Sequence, residues 1–500
     1  MSDNNTLAQR GAQALGWNWA GGAARALVQF VAQVVLARLL GPEAFGQAAA
    51  VLLVVGVAWL VAEAGMGAAL IQQAQLSDED VGFALGRVLL MSMVVAVVVL
   101  LLAAPIATLL GDTQAAPFVR AGALLIPLQA LSNLPLSLMQ RRFQAKRLQA
   151  IQVLSYLLAY GGVGVWMAWQ GFGAWALLAA FAVQALFTLV ACWLAVRHSL
   201  RPRWRGHRSL RDYGVTTLLA NLVNWALESL DRVLVGRGWG TVALGEYALA
   251  ASLARAPVTL LVGSLQPVAF ASASRLQDEP ERLARGYGAM LALGLVLTLP
   301  CFVFLAWHAQ AVVGLLYGPQ WQRAAAPFAW LCLGVPFFVM LALTGPVLRG
   351  MGAVAGETRA QLWVLGVLCA LLWCVMGQAM AWAAAAVSAA TALRALLMYR
   401  ALRARVAMPV GTVWRAWHGG GVLALVVSGV TASVKVAASF TGLGPLPCAL
   451  ASAALGSLGC VFLLHWRARR LLGAELSQAL LNRQGDSRAA AWLCHHLRLH

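Results

Sequence analysis

Two arginines stand where arginine is costly. Arg25 lies about nine residues, or ~14 Å of helix rise, into an apolar run that begins near residue 16. Arg255 lies about a dozen residues into another that begins near residue 243, beside Pro257. A central arginine facing hydrocarbon costs roughly 2.5–3.5 kcal/mol even on the lenient insertion scale, so each side chain needs an aqueous or polar destination. Guanidinium is a planar donor fork suited to phosphate, which makes both residues candidates for holding an anion. Asn18, Arg25, Gln29 and Gln33 step by seven, four and four and so share one helical face. Asn221, Asn224, Glu228 and Asp231 step by three, four and three and form a second polar stripe. Glu63, Glu228 and Asp231 are the carboxylates inside apolar runs that are available to bind a proton or Na⁺. Two alternatives stay open: Glu63 is either such a coupling site or the partner of Arg25 across a helical hairpin, and Asp231 is either a coupling site or one half of a charge pair with Arg232. Arg87 and Arg394 fall within a turn or two of a run's end, where long side chains reach the head groups.

Other chemistry is excluded. The eight cysteines contain no C-x-x-C pair, so neither a zinc site nor a disulfide framework is indicated. Histidines gather in basic connections and in the terminal "CHHLRLH", which reads as a polar terminus rather than a metal site. No G-x-x-x-x-G-K-[ST] loop occurs, so no nucleotide-driven step, no cofactor and no metal is expected.

The elements that position these residues are membrane helices. Hydrophobic residues make up 61% of the 500 and charged residues only 11%, against about 25% charged in a soluble globular chain. Apolar runs near the roughly 20 residues needed to cross a bilayer number fourteen. They lie near 16–39, 45–70, 83–105, 117–139, 148–169, 174–196, 213–236, 243–270, 287–308, 325–347, 360–378, 379–398, 418–438 and 446–466. The first is long and lacks a small-residue cleavage site after it, so a retained helix is expected. The net charge of +19 would suit nucleic acid, but its placement argues otherwise. Numbering the connections from an inside N-terminus puts most Lys and Arg inside, among them Arg141, Arg142, Lys146 and Arg147, the run from Arg197 to Arg211, and Arg400 to Arg415. That is the positive-inside bias of a cytoplasmic-membrane protein with both termini in the cytoplasm and basic loops against anionic lipids, with no nucleic-acid partner. Two places run against it: the acidic "QQAQLSDEDVG" falls inside, and Arg38 and Arg237 fall outside.

A repeat organises the helices. "LARLLGPEAFGQAAA" (36–50) returns as "VGRGWGTVALGEYAL" (235–249), pairing Arg38 with Arg237, Gly41 with Gly240, Ala44 with Ala243, Gly46 with Gly245 and Ala49 with Ala248. The offset is an even number of helices, so both copies enter the membrane in the same sense and are related by an axis along its normal. Glycine and proline at the turn end one helix and start the next, as in a helical hairpin.

These stretches, with "AEAGMGAALIQ", "LSLMQRRFQAKRLQAIQVLSYLLAYGGVGVWMAWQGFGAWALL", "LESLDRVLVGRGWGTVALGEYALA" and "ASASRLQDEPERLARGYGAML", resemble Wzx-type oligosaccharide flippases of the multidrug/oligosaccharidyl-lipid/polysaccharide exporter superfamily, over about residues 10–400. The resemblance implies an all-α polytopic membrane protein of about 14 transmembrane helices, with two pseudo-symmetric six-helix lobes (1–200 and 201–405) around a central cavity. Two further helices (406–467) and a basic cytoplasmic tail (468–500) follow. It implies secondary alternating-access transport of a polyprenyl-pyrophosphate-linked oligosaccharide for surface polysaccharide biosynthesis, in the company of other polysaccharide-assembly proteins. On that reading Arg25 and Arg255 hold the pyrophosphate and the amides of Asn18, Gln29, Gln33, Asn221 and Asn224 wet the sugar path. A drug/cation antiporter of the same superfamily is the rival, and predicts a cavity of carboxylates. A membrane-embedded polymerase or glycosyltransferase is a weaker one, because the longest outer connection, "AQAVVGLLYGPQWQRAAA", is too short to carry a catalytic loop.

Overall fold

A computed structural model of the chain describes residues 2–73, 76–198, 201–204, 208–352, 354–406, 410–442 and 444–482. For residues 2–16, 18–19, 208–217, 219–220, 260, 354–356, 358, 410, 468–470, 473–475, 478–480 and 482 only the backbone is described. Among the described residues there is no strand. The chain divides into two compact units, Met1–Leu249 and Ala250–His500, with the boundary inside one long helix.

The first unit holds α1 (Ser2–Glu63), α2 (Met66–Gln72), α3 (Asp78–Leu101), α4 (Ala103–Leu109), α5 (Ala116–Arg141), α6 (Ala145–Tyr156), α7 (Val165–Trp169), α8 (Ala174–Val196) and the first part of α9 (Arg208–Arg275). The second holds the rest of α9, then α10 (Pro280–Trp307), α11 (Ala309–Tyr317), α12 (Ala325–Gly350), α13 (Val354–Cys374), α14 (Met380–Val406), α15 (Val410–Thr441) and α16 (Pro445–Asn482). Among the described residues ten helices are long and apolar enough to cross a membrane, or eleven with the pair Asn221–Thr259 and Leu261–Arg275, which is bent by 52°. The chain is thus a multi-pass membrane protein. The difference from the fourteen expected runs has a physical origin. Ala20–Glu63 counts once, although its 44 residues would reach about 66 Å if straight, twice a hydrocarbon core. The bent pair likewise takes in two expected runs, and Arg359–Cys374 is apolar but shorter than a full span.

The repeated turn explains both long helices. Helical backbone is interrupted inside α1 at Gly41 (φ 74, ψ 175) and inside α9 at Gly240 (φ 83, ψ 177). That region of φ/ψ space is essentially reserved for glycine, and the same conformation recurs at the same repeat offset. The two turns also meet within the first unit. A Cβ on Gly46 would fall on the carbonyl oxygen of Thr241, and one on Gly245 would fall on that of Pro42. Residue 46 corresponds to 245 and residue 42 to 241, so the contact is reciprocal, as a local two-fold requires. Thr241 also donates its hydroxyl to the Asp112 carboxylate at 3.0 Å.

Packing follows the membrane rule rather than the aqueous one. Val51, Val55, Val88, Val119, Ile126 and Leu134 form a dry core from α1, α3 and α5. Meanwhile Leu101, Trp169, Trp363, Leu425 and Phe440 are between 73% and 85% exposed, a surface that only acyl chains can cover at low cost. The acidic connection that ran against the charge bias has a local role. Ser77 and Asp80 form a capping box at the start of α3, Asp78 and Glu79 complete an acidic first turn, and Glu79 pairs with Arg203. Arg141 in turn donates to the carbonyl oxygens of Leu70 and Ile71 at 2.9 and 3.0 Å, satisfying the C-terminal end of α2.

Candidate functional site

In the first unit the polar face of α1 meets α6. Arg25 is half-buried and donates through Nη1 to the Gln152 side-chain oxygen. Tyr156 is near enough to feel its charge and stacks on Tyr160, ring centres 4.3 Å apart, one helical turn on. No carboxylate pairs with Arg25 among the described residues. Next to this group the chain winds as a π-helix from Leu157 to Gly164, a wide-turn geometry often found at functional sites. Gln29 and Gln33 are half-buried on the same helix, and the side chain of Asn18 lies outside the described residues. Closer to the end of α1, Lys146 sits over the Trp17 ring, 4.8 Å from its centre.

The carboxylates separate by environment. Glu63 is 5% exposed and accepts three hydrogen bonds: from the Gly65 nitrogen at 3.1 Å, the Gly67 nitrogen at 2.6 Å and Asn133 Nδ2 at 3.1 Å. It bridges the break between α1 and α2, and of the two roles left open by sequence the pairing with Arg25 does not form. Asp231, 3% exposed, accepts from the Tyr247 hydroxyl at 2.7 Å and from the Arg232 backbone nitrogen at 2.8 Å, with Arg232 Nε 4.0 Å away. The charge pair anticipated with Arg232 therefore exists, and tyrosine adds to it. Glu228 differs, being exposed with a carboxylate that has no hydrogen-bond partner among the described residues; only its backbone oxygen is used, by Arg232. Asn221 is half-buried and Asn224 exposed.

In the second unit Arg255 lines a cavity of about 40 Å³ with Ala251, Ala254, Gly334, Phe338, Ser388 and Thr391 among its walls. That volume suits a few waters rather than a solute. Arg255 is half-buried and makes no hydrogen bond or ion pair among the described residues. Ser388 donates its hydroxyl across to the Trp330 carbonyl oxygen of α12 and Thr391 donates back to that of Val387, both at 2.8 Å, and neither bonds the guanidinium. Gln152, the tyrosine pair, Ser388 and Thr391 were missed from sequence. Gln152 carried a signal, an amide inside an apolar run, whereas Thr391 carried almost none, because a threonine in a membrane helix can bond back to its own helix anywhere.

This arrangement of broken and kinked membrane helices has known parallels. The fold is that of a lipid II flippase, MurJ, in an inward closed conformation (TM-score 0.68, 11% identity, 89% of this chain and 98% of that one). It is also that of an inward-facing multidrug resistance MATE family transporter of the MOP superfamily (TM-score 0.60, 15% identity, 77% and 94%). At that level of identity the likeness concerns the fold alone. Sequence narrows it further: residues 35–326 match the polysaccharide biosynthesis protein family, and the chain belongs to that family. Its relatives include the succinoglycan biosynthesis transport protein ExoT of Rhizobium meliloti strain 1021, 27% identical over 65% of this chain and 66% of that protein. Another is the lipopolysaccharide biosynthesis protein WzxC of Escherichia coli K12, 22% identical over 61% and 62%. The chain thus spans just under two thirds of the length of the relatives it matches. Several of these proteins are named for transport or flipping and none for an enzymatic reaction.

Proposed function

We propose that the protein is a flippase that moves a polyprenyl-pyrophosphate-linked oligosaccharide from the cytoplasmic to the outer leaflet of the cytoplasmic membrane, by secondary alternating access and without enzymatic chemistry. Both termini are cytoplasmic on this reading. The two kinked helices count as hairpins, which gives fourteen spans in two six-helix halves and an additional pair. Arg25 and Arg255 hold the pyrophosphate. The amides of Asn18, Gln29, Gln33, Asn221 and Asn224 serve the sugar hydroxyls, and other polysaccharide-assembly proteins supply and receive the cargo.

The observation that carries the reading is Arg255: a guanidinium deep in a membrane helix, on the wall of a cavity with room for a few waters and without a counter-ion among the described residues. Leaving an uncompensated cation there is unfavourable unless an anion visits. Of the three candidate coupling carboxylates, Glu63 and Asp231 already have protein donors, which favours Glu228 as the group that takes up a proton or Na⁺.

The test is surface-polysaccharide display in cells whose sole exporter carries Arg25→Ala, Arg255→Ala or both, at matched membrane levels. Each single change should reduce display and the double change abolish it. Normal display in the double variant would remove the pyrophosphate assignment. Toxic-cation resistance measured in the same strains separates the antiporter, which predicts a loss of resistance instead.

A further inference from the structure

A larger cavity lies elsewhere in the second unit. It has a volume of about 450 Å³ and opens among the last turn of α10, the first turns of α11, α12 and α16, and the latter part of α15. These are the helix ends away from the arginine-bearing connections at Arg275–Arg285, Arg349 and Arg400–Arg415. Its polar lining is His308, Gln310, Gln322, Arg323 and Lys435, and no aspartate or glutamate reaches it.

Two features make it a built site. The first is its charge, with Arg323 and Lys435 both on its wall and His308 beside them, 3% exposed. The His308 Nε2 is sealed within the protein, without a hydrogen-bond partner among the described residues, and does not open on the cavity. Burial, with Lys435 beside it, holds the His308 imidazole below its usual range, so near neutral pH the ring is uncharged and offers a single N–H. The second is a fixed frame. Lys435 Nζ donates to the Trp307 carbonyl oxygen at 2.7 Å and lies 5.1 Å from the centre of that indole ring. The indole Nε1 donates to Ser428 Oγ at 3.3 Å. The lysine therefore covers the negative, C-terminal end of α10. The first turn of α11, not capped by a side chain, and the first residues of α12 line the cavity. Arg323 is exposed and has no partner among the described residues.

We propose that this cavity binds a phosphate group, borne by a lipid head group or free in solution, with Arg323 and Lys435 as donors, His308 as an uncharged wall and Trp307 against the group's substituent. The volume accommodates a phosphate with a glycerol-sized substituent. Nothing in the assignment depends on the flippase reading, since it concerns neither Arg25 nor Arg255.

The full-length protein in neutral detergent would be titrated with inorganic phosphate, with short-chain phosphatidic acid and with the matching diacylglycerol, using calorimetry. Arg323→Gln and His308→Gln would be compared with the wild type. Phosphatidic acid should bind the wild type and be weakened at least tenfold by Arg323→Gln, with diacylglycerol unaffected. Inorganic phosphate weakened in parallel identifies the free ion as a sufficient ligand, whereas phosphate that fails to bind while phosphatidic acid does identifies a lipid. Absence of both phosphate probes from the wild type, or retention of both within twofold in Arg323→Gln, overturns the proposal. Arg323 is exposed and unpaired, so that variant tests the site even if His308→Gln does not fold.

Discussion

Replacing Glu63 withdraws one acceptor from three donors at once. The amides of Gly65 and Gly67 and the side chain of Asn133 all point at a carboxylate that is 5% exposed. An unsatisfied buried donor costs about 1–3 kcal/mol. Two stranded amides with a third group free to turn away put Glu63→Ala near 2–6 kcal/mol, a large part of the roughly 5–15 kcal/mol that separates folded from unfolded chains. Glu63→Gln is milder. Its oxygen can keep the Gly67 contact, but its NH₂ then faces the Gly65 N–H, so about 1–3 kcal/mol is expected for the one lost partner. The assay has two readouts on the same membranes: the monodisperse fraction after detergent extraction and its melting temperature, and polysaccharide display per folded molecule. The expected pattern is a ranking of wild type, Gln, then Ala in folded yield, with display per folded molecule near wild type for Gln. An alanine variant that folds and melts like the wild type while display collapses would refute this reasoning and make Glu63 a coupling group instead of a hinge between α1 and α2.

Gly245→Ala should lower the melting temperature sharply, because its Cβ would lie 2.8 Å from the Gly46 nitrogen and closer still to the Pro42 carbonyl, backbone atoms that cannot rotate aside. Overpacking of this kind costs about 1–3 kcal/mol, and a melt unchanged from wild type would show that the two turns do not touch. Gly46→Ala, its repeat mate, should cost a similar amount. Glu228→Gln should leave folded yield unchanged, since no protein donor uses its carboxylate among the described residues, yet abolish the response of display to collapse of the ion gradient; a response that persists excludes Glu228.

What the sequence disclosed depended on whether a constraint was local. The glycine turn was legible because one residue type answers one backbone requirement: φ of 74° at Gly41 and 83° at Gly240 is forbidden to most side chains, so the letters repeat with the geometry. The crossing of those turns was invisible, since it needs Gly46 and Thr241 to be neighbours in space. Helix spacing grouped Asn18, Arg25, Gln29 and Gln33 on one face, yet could not say that α6 would bring Gln152 and the Tyr156–Tyr160 stack to Arg25. The fourteen apolar runs exceed the continuous helices because hydropathy registers a hairpin as two runs, and α1 takes in two of them on either side of the non-helical Gly41. Charge bias left "SDED" as an exception, because its acids serve the first turn of α3, a requirement of 13-atom hydrogen-bonded rings and not of topology.

On the proposed reading, the sign of the cargo follows from which charges the protein leaves uncompensated. A carboxylate meant for a cation should be short of donors, and an arginine meant only for structure should have an acceptor. Of the deeply buried carboxylates, Glu63 is supplied by two amides and Asn133, and Asp231 by Tyr247 and Arg232, whereas Glu357 takes Arg349 at 3.0 Å through Oε1 and leaves Oε2 without a partner among the described residues. Burial still pushes the Glu357 carboxyl above its usual value, against the pull of Arg349 and Arg394. The guanidiniums of Arg25 and Arg255 have the opposite accounting, one held by a neutral amide and the other by nothing among the described residues. A drug/cation antiporter built on this fold would need that pattern inverted. Neutralising a lone membrane arginine removes a charge that costs roughly 2.5–3.5 kcal/mol to bury, so Arg255→Leu should make the empty protein no less stable while it loses transport. If Arg255→Leu instead lowered the melting temperature of the empty protein, the guanidinium would be bonded within the structure and free to hold no anion.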